Sequence, residues 1–218
     1  MVIKLVIGNK NYSSWSLRAW LLLSAYDIPF EEVEIKLFTE HTRKELQEYT
    51  QAGKVPVLHD EDVIVWDSLA ICEYVSEKYL GGQGWPSGPS ERAQARSYSA
   101  EMHSGFFAIR EKMPMNCRAN NRQIDIDDKL EKEISRIDQI WSELREKNAA
   151  KGPWLFGEFS IVDCMFAPVV FRFFTYQVIL SEAAEQYANT VLAQPKVQHW
   201  LEQSLESAEL LEAFEVGL

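Results

Sequence analysis

Apolar positions follow two rhythms along this chain, and the change comes near residue 80. In the first part they form short runs of strand type. Val2 to Ile7 is almost continuously apolar, broken only by Lys4, and predicts a buried strand. Gly8-Asn9-Lys10-Asn11 is turn chemistry. Leu17, Leu21 and Ala25 then share one helical face, and Ser13-Ser14 stand before them as an N-cap signal. Phe30, Val33, Ile35 and Leu37, set among Glu31, Glu32, Glu34 and Lys36, predict a second strand. Thr42 to Tyr49 reads as a short polar helix. Val57-Leu58-His59 and Val63-Ile64-Val65 flank the acidic turn Asp60-Glu61-Asp62 and predict a β-hairpin. Asp67-Ser68 cap a helix running through Ile71, Tyr74 and Val75 to Tyr79. The order βαβαββα makes an α/β unit.

Leu80 to Pro89 contains four glycines and two prolines, the clearest linker in the chain. Nothing beyond it reads as a strand. Ser90 to about Lys112 predicts one helix, and Leu130, Ile134, Ile137, Trp141 and Leu144 step 4, 3, 4, 3 along another. Ser160-Ile161-Val162-Asp163 resembles a capping box opening a helix apolar on most sides, the expected centre of the second domain. Pro195 to Leu205 closes the pattern, and the terminal glutamates, Glu209 and Glu215 among them, read as a solvated face. The expected division is 1–80, a linker at 81–89, and an all-helical domain at 90–218.

Composition narrows the function. A formal net charge of −11 leaves no basic stripe for nucleic acid. Cys72, Cys117 and Cys164 are widely spaced, which argues against a disulfide framework or a zinc site and fits a reducing cytoplasm. Cys72 and Cys164 sit in apolar helices and should be inert; Cys117 is the one thiol to test for reactivity. The apolar start at Met1 to Ile7 is too short for a signal peptide, and the run Cys164 to Phe171 is far below the ~20 residues that cross a bilayer.

Three stretches of the first domain suit a ligand. Helix starts at Ser13-Ser14 and Asp67-Ser68 present unpaired N–H groups and partial positive charge, so each can hold an anion. Between them lies Gly53-Lys54-Val55-Pro56, where proline opens a short apolar run although it cannot donate to a ladder. A cis Val55–Pro56 bond would turn the Val55 N–H and C=O toward a peptide-like ligand; a trans proline opening a strand is the plainer reading. A carboxylate, a peptide middle and a thiolate would satisfy all three stretches, and glutathione carries them.

In this order and spacing the chain resembles a cytosolic glutathione transferase, a thioredoxin-like N-terminal domain joined to a helical C-terminal one, over essentially its whole length. The marks are Val55-Pro56, Asp67-Ser68 eleven residues past the proline, and the Ser160–Asp163 box. Ser13-Ser14-Trp15-Ser16-x-Arg18 is most similar to the zeta class, whose run reads Ser-Ser-Cys-Ser-x-Arg. The resemblance implies that Ser13 or Ser14 donates to the glutathione thiolate, and that Val55, beside Pro56, pairs with its cysteinyl backbone. It further implies that Ser68 takes the γ-glutamyl carboxylate, Asp67 the amine and Lys54 the glycine carboxylate. Trp15, Met102, His103 and Phe106 would line the electrophile pocket. A homodimer is implied as well, with no metal.

Two positions depart from the pattern. Asp67 is one methylene shorter than the Glu usual there, and Trp15 replaces the zeta cysteine, which puts isomerase activity in doubt. A thiol of pKa near 8.5 needs ~2.7 kcal/mol to fall two units. A hydrogen bond to a charged acceptor supplies ~1.5–3 kcal/mol and a helix start ~0.3–1 kcal/mol, so one serine suffices. The expected reaction is conjugation of the thiolate to an apolar electrophile. The alternatives are a glutathione-dependent cis–trans isomerase of maleylacetoacetate type, for which Arg18 and Arg110 would supply the cationic pocket, or a non-catalytic adaptor of the same fold.

Overall fold

The computed structural model describes residues 2–217; Met1 and Leu218, ends of the two expected domains, lie outside the described residues. The first part contains β1 (Ile3–Gly8), α1 (Ser14–Ala25), β2 (Phe30–Ile35), α2 (Thr42–Gln47), β3 (Val57–Asp60), β4 (Val63–Trp66) and α3 (Ser68–Leu80). The strands form one mixed sheet in the order β2-β1-β3-β4. β1 runs parallel to β2, with Val6 opposite Val33, and antiparallel to β3, with Leu5 opposite Leu58. This is the α/β unit expected from the element order, in the thioredoxin-like arrangement that the resemblance implies.

β1 is apolar apart from Lys4 because it is covered on both sides. Successive strand residues point to opposite faces, so Ile3, Leu5 and Ile7 enter the main core while Val6 joins Ile35, Leu46 and Val57 in a smaller cluster beneath α2. The main core runs without a break from the sheet into the helical part, through Leu17, Leu21 and Leu22 of α1.

The second part is all helical: α4 (Pro89–Ser104), α5 (Phe107–Lys112), α6 (Asp128–Asn148), α7 (Ile161–Thr175), α8 (Glu182–Ala193) and α9 (Pro195–Glu206), with short 3-10 turns at Ala149–Lys151 and Glu212–Phe214. α7 is its buried axis: of its residues only Phe174 is not buried. Asp163 holds the start of α7, its Oδ2 accepting from Ser160 N at 2.9 Å and Ser160 Oγ at 3.2 Å, and its Oδ1 from Leu155 N at 3.2 Å. On α6, Leu130, Ile137, Trp141 and Leu144 are buried as their spacing requires, while Ile134 is half-buried.

Three features differ from the sequence reading. The single helix expected over 90–112 is two, broken where Phe106 adopts φ 58 and a Cβ on Gly105 would lie 2.8 Å from Glu101 O. α8 went unread, although Ala184, Tyr187, Ala188 and Val191 form its buried stripe. The chain after α9 folds back over the turn that follows β1. There Asn9 Nδ2 donates to Ser207 Oγ at 3.0 Å, and Arg122 Nη2 pairs with Glu215 Oε2 at 2.6 Å. Glu209 and Glu215 therefore work as anchors rather than as a solvated face.

Candidate active site

The start of α1 is held from below. Gly8 N donates to Ser16 Oγ at 3.0 Å, and Ser13 Oγ donates to the same oxygen at 2.7 Å. Ser13 thus occupies the cap position without capping with its side chain. Ser14 Oγ instead accepts from Arg172 Nη2 at 3.2 Å, across from α7. Both serines are 6% exposed and line one cavity of about 260 Å3 with Trp15, Val55, Arg110 and Arg172. Tyr12 faces the same cavity, but its hydroxyl donates to Glu215 Oε1 at 2.7 Å and accepts from Arg118 Nη2 at 3.0 Å.

A second cavity, of about 560 Å3, contains Lys54, Val55, Pro56, Asp67, Ser68 and His103, with Trp15 again in its wall. Trp15 and Val55 border both cavities, so the two form adjoining chambers. The Val55–Pro56 bond is cis. Val55 stands before the first residue of β3, and its N–H and C=O make no hydrogen bond among the described residues. Asp67 Oδ1 caps α3, accepting from Leu69 N at 2.9 Å and Ala70 N at 3.2 Å, while Oδ2 faces His103 Nε2 at 3.0 Å. Ser68 Oγ is buried without a partner among the described residues.

Three arginines supply the positive charge in and around the smaller chamber. Arg18 is 1% exposed and its Nε and Nη1 have no hydrogen-bond partner among the described residues. Its guanidinium lies 4.4 Å from the centre of the Trp15 ring, and that of Arg110 lies 4.7 Å from it. Burial, then the neighbouring Arg110 charge, lowers the Arg172 pKa to about 9; the same causes push Arg18 well below its ordinary value. Burial also lowers His103, against the opposing pull of Asp67.

Not every expected pocket residue arrives. Met102 is a core residue, 1% exposed, whose carbonyl accepts from Arg110. Phe106 forms the left-handed break between α4 and α5 and packs inward. Neither lines the two chambers. Cys117, the thiol to test for reactivity, is buried, its thiol raised to about 12 by desolvation and its Sγ donating to Lys10 O at 3.7 Å. Arg172 was missed. Its signal was in plain sight: a lone cation inside Phe171-Arg172-Phe173, in the most apolar helix. Among the described residues no group of three or more His, Cys, Asp or Glu side chains could hold a metal, and no helix is long and apolar enough to cross a membrane.

Comparison with known families matches residues 12–78 to the glutathione S-transferase N-terminal domain and residues 127–203 to the C-terminal domain. The chain belongs to the glutathione S-transferase family. Similar members include the dichloromethane dehalogenase of Methylorubrum extorquens, 41% identical over 75 residues, which are 33% of this chain and 26% of that protein. A probable maleylacetoacetate isomerase of Caenorhabditis elegans is 32% identical over 43% of this chain and 44% of its own length. The matched stretches thus span less than half of either relative. Escherichia coli glutathione S-transferase GstB is 24% identical over 93% of both chains. Among solved structures, a Burkholderia glutathione transferase homologue with bound glutathione superposes with a TM-score of 0.73 at 21% identity, over 95% of this chain and 100% of that one. For the zeta class these relatives offer no more than the partial isomerase match.

Proposed function

We propose that this member of the family is a glutathione transferase, binding glutathione in the larger chamber and presenting its sulfur in the smaller one. The observation that carries the reading is the pair of chambers meeting at Trp15 and Val55, one holding the serines and the other the cluster Lys54, Asp67 and Ser68. The unpartnered Ser68 hydroxyl and the start of α3 suit the γ-glutamyl carboxylate. Asp67 Oδ2 suits the amine, the free Val55 backbone groups the cysteinyl peptide, and Lys54 the glycine carboxylate.

Of the two serines, Ser14 is the better donor to the sulfur. The Ser13 proton is committed to Ser16, whereas Ser14 uses only its oxygen, toward Arg172, and keeps its own proton for the ligand. The thiolate then attacks an electrophile resting against Trp15 and the apolar walls of the smaller chamber. The chain divides for this work at 81–89, between a glutathione-binding unit of residues 1–80 and a helical unit of residues 90–218, and it acts as a homodimer in the cytoplasm. Calorimetry with glutathione tests the reading: millimolar ligand with no heat of binding ends it. Sedimentation at a single-chain mass would remove the dimer alone.

A further inference from the structure

The smaller chamber holds more positive charge than one thiolate uses. The chain carries 33 acidic residues against 22 basic ones, yet no Asp or Glu lines this chamber while Arg110 and Arg172 do. Arg18 stands behind Trp15 as a third guanidinium, with two nitrogens unbonded. None of the three forms an ion pair among the described residues.

Nearby carboxylates offset part of this charge, Glu133 for Arg110 and Asp67 for Arg18, but neither lines the smaller chamber. Arg110 Nε donates to Gly105 O at 2.9 Å and Nη2 to Met102 O, while Arg172 donates to Met113 O and Ser14 Oγ. Such tethers satisfy N–H groups, and a neutral amide could make them, but they leave the net charge in place. Taking a cation out of water is costly unless an opposite charge meets it. A glutathione sulfur beside Ser14 would meet one of the two cations that line the chamber.

We infer that the second substrate of this site is an anion: an aromatic or unsaturated electrophile bearing a carboxylate. Arg110, which is only partly buried, receives the carboxylate. Arg172 and Arg18 add to the field behind it, and the apolar walls at Leu37, Phe38 and Phe214 take the carbon skeleton. The inference rests on the transferase reading for the sulfur but not for the anion. With an aryl chloride the step balances simply. The glutathione thiolate forms the C–S bond, the C–Cl bond breaks, and chloride leaves with the bonding pair.

The test uses the full chain, saturating glutathione, and a matched pair of electrophiles, 4-chloro-3-nitrobenzoate and 4-chloro-3-nitrobenzamide. With each kcat/KM divided by the uncatalysed rate constant, the benzoate should exceed the amide by at least about tenfold, as expected for a charge-assisted contact. Arg110→Gln should collapse that ratio toward one while Arg110→Lys retains most of it. A parent ratio of one or less overturns the inference, as does a ratio unchanged by Arg110→Gln. Calorimetry on the parent with benzoate and benzamide keeps the question answerable if the glutamine variant does not fold. Benzoate binding without glutathione binding sustains the anion site and removes the transferase reading. Glutathione binding with no preference for benzoate does the reverse.

Discussion

Arg172 Nη2 donates to Ser14 Oγ across 3.2 Å, joining the buried axis of the helical domain to the first turn of α1. The contact withdraws electron density from the serine oxygen and leaves its proton free for a sulfur. Ser13, one residue earlier, is turned to Ser16.

The two serines should therefore separate on substitution. Removing a hydrogen bond to a charged acceptor costs ~1.5–3 kcal/mol, and one pKa unit is about 1.36 kcal/mol. Ser14→Ala should raise the thiol pKa of bound glutathione by about 1–2 units, and Ser13→Ala by less than half as much. Ultraviolet titration of the bound thiolate reads both shifts. A larger shift for Ser13→Ala would return the donor role to that residue.

His103 Nε2 and Asp67 Oδ2, 3.0 Å apart, give the larger chamber a pH response. Burial holds the His103 pKa below its usual value, so the ring is neutral at pH 7. Above the unfolded value of about 6.5 this favours the folded state, and that advantage is lost as pH falls, because the unfolded chain takes the proton first. Once protonated, His103 neutralises the Asp67 carboxylate that the glutathione amine would otherwise use. Glutathione affinity should weaken as pH falls through the lowered pKa of His103, on the acid side of the ordinary imidazole value, and His103→Gln should remove that step. A calorimetric Kd with the same pH profile in parent and variant would detach His103 from ligand binding.

The fold was legible in the chain because each rule was local. Ser160 and Asp163 announce the start of α7, the 4, 3, 4, 3 spacing gives α6, and β1 reads as buried because both of its faces are covered. From the residues themselves the site was legible where they begin helices or flank Pro56; His103 and Arg110 came from the resemblance. What brings Arg172 to Ser14 is the packing of α7 on α1, residues 158 apart, and no local pattern encodes that. Phe106 fails because the break at Gly105-Phe106 turns the chain within one step. Met102 lies before that break, inside α4, and enters the core while its neighbour His103 reaches the larger chamber. Tyr12 and Glu215 meet from opposite ends of the chain.

Asp163 offers a test of the helical core by itself. Its pKa is raised to about 6 by desolvation, opposed by the hydrogen bonds from Leu155 N, Ser160 N and its other neighbours. A carboxyl whose folded pKa lies above its unfolded value near 3.9 binds protons more tightly when folded. Its contribution is therefore most favourable below the unfolded pKa and is lost as pH rises through about 6. The shift corresponds to roughly 3 kcal/mol. Relative to Asp163→Asn, the parent should lose stability between pH 4.5 and pH 7 by roughly 2 kcal/mol in urea titrations. A constant difference across that range would mean that Asp163 is ionised throughout.

The segment after α9 gives the last prediction. Leu211 and Phe214 form part of the wall of the smaller chamber, with the Phe214 ring 5.3 Å from Tyr12 and 5.6 Å from Phe38. Polar contacts secure it on both sides: Arg118 Nη2 donates to Glu209 O at 2.7 Å, and Glu215 accepts from Tyr12, Asn116 and Arg122. Phe214→Ala removes part of a half-buried ring, about 1 kcal/mol of apolar burial, and should lower the melting temperature by roughly 2–4 °C. The same change opens the wall on the electrophile side and leaves the Asp67–Ser68 chamber untouched. Glutathione affinity should stay within about twofold, while kcat/KM for the electrophile falls by roughly fivefold, the effect of about 1 kcal/mol on the transition state. Equal losses in glutathione binding and in electrophile turnover would mean that the segment steadies the whole fold rather than shaping one chamber.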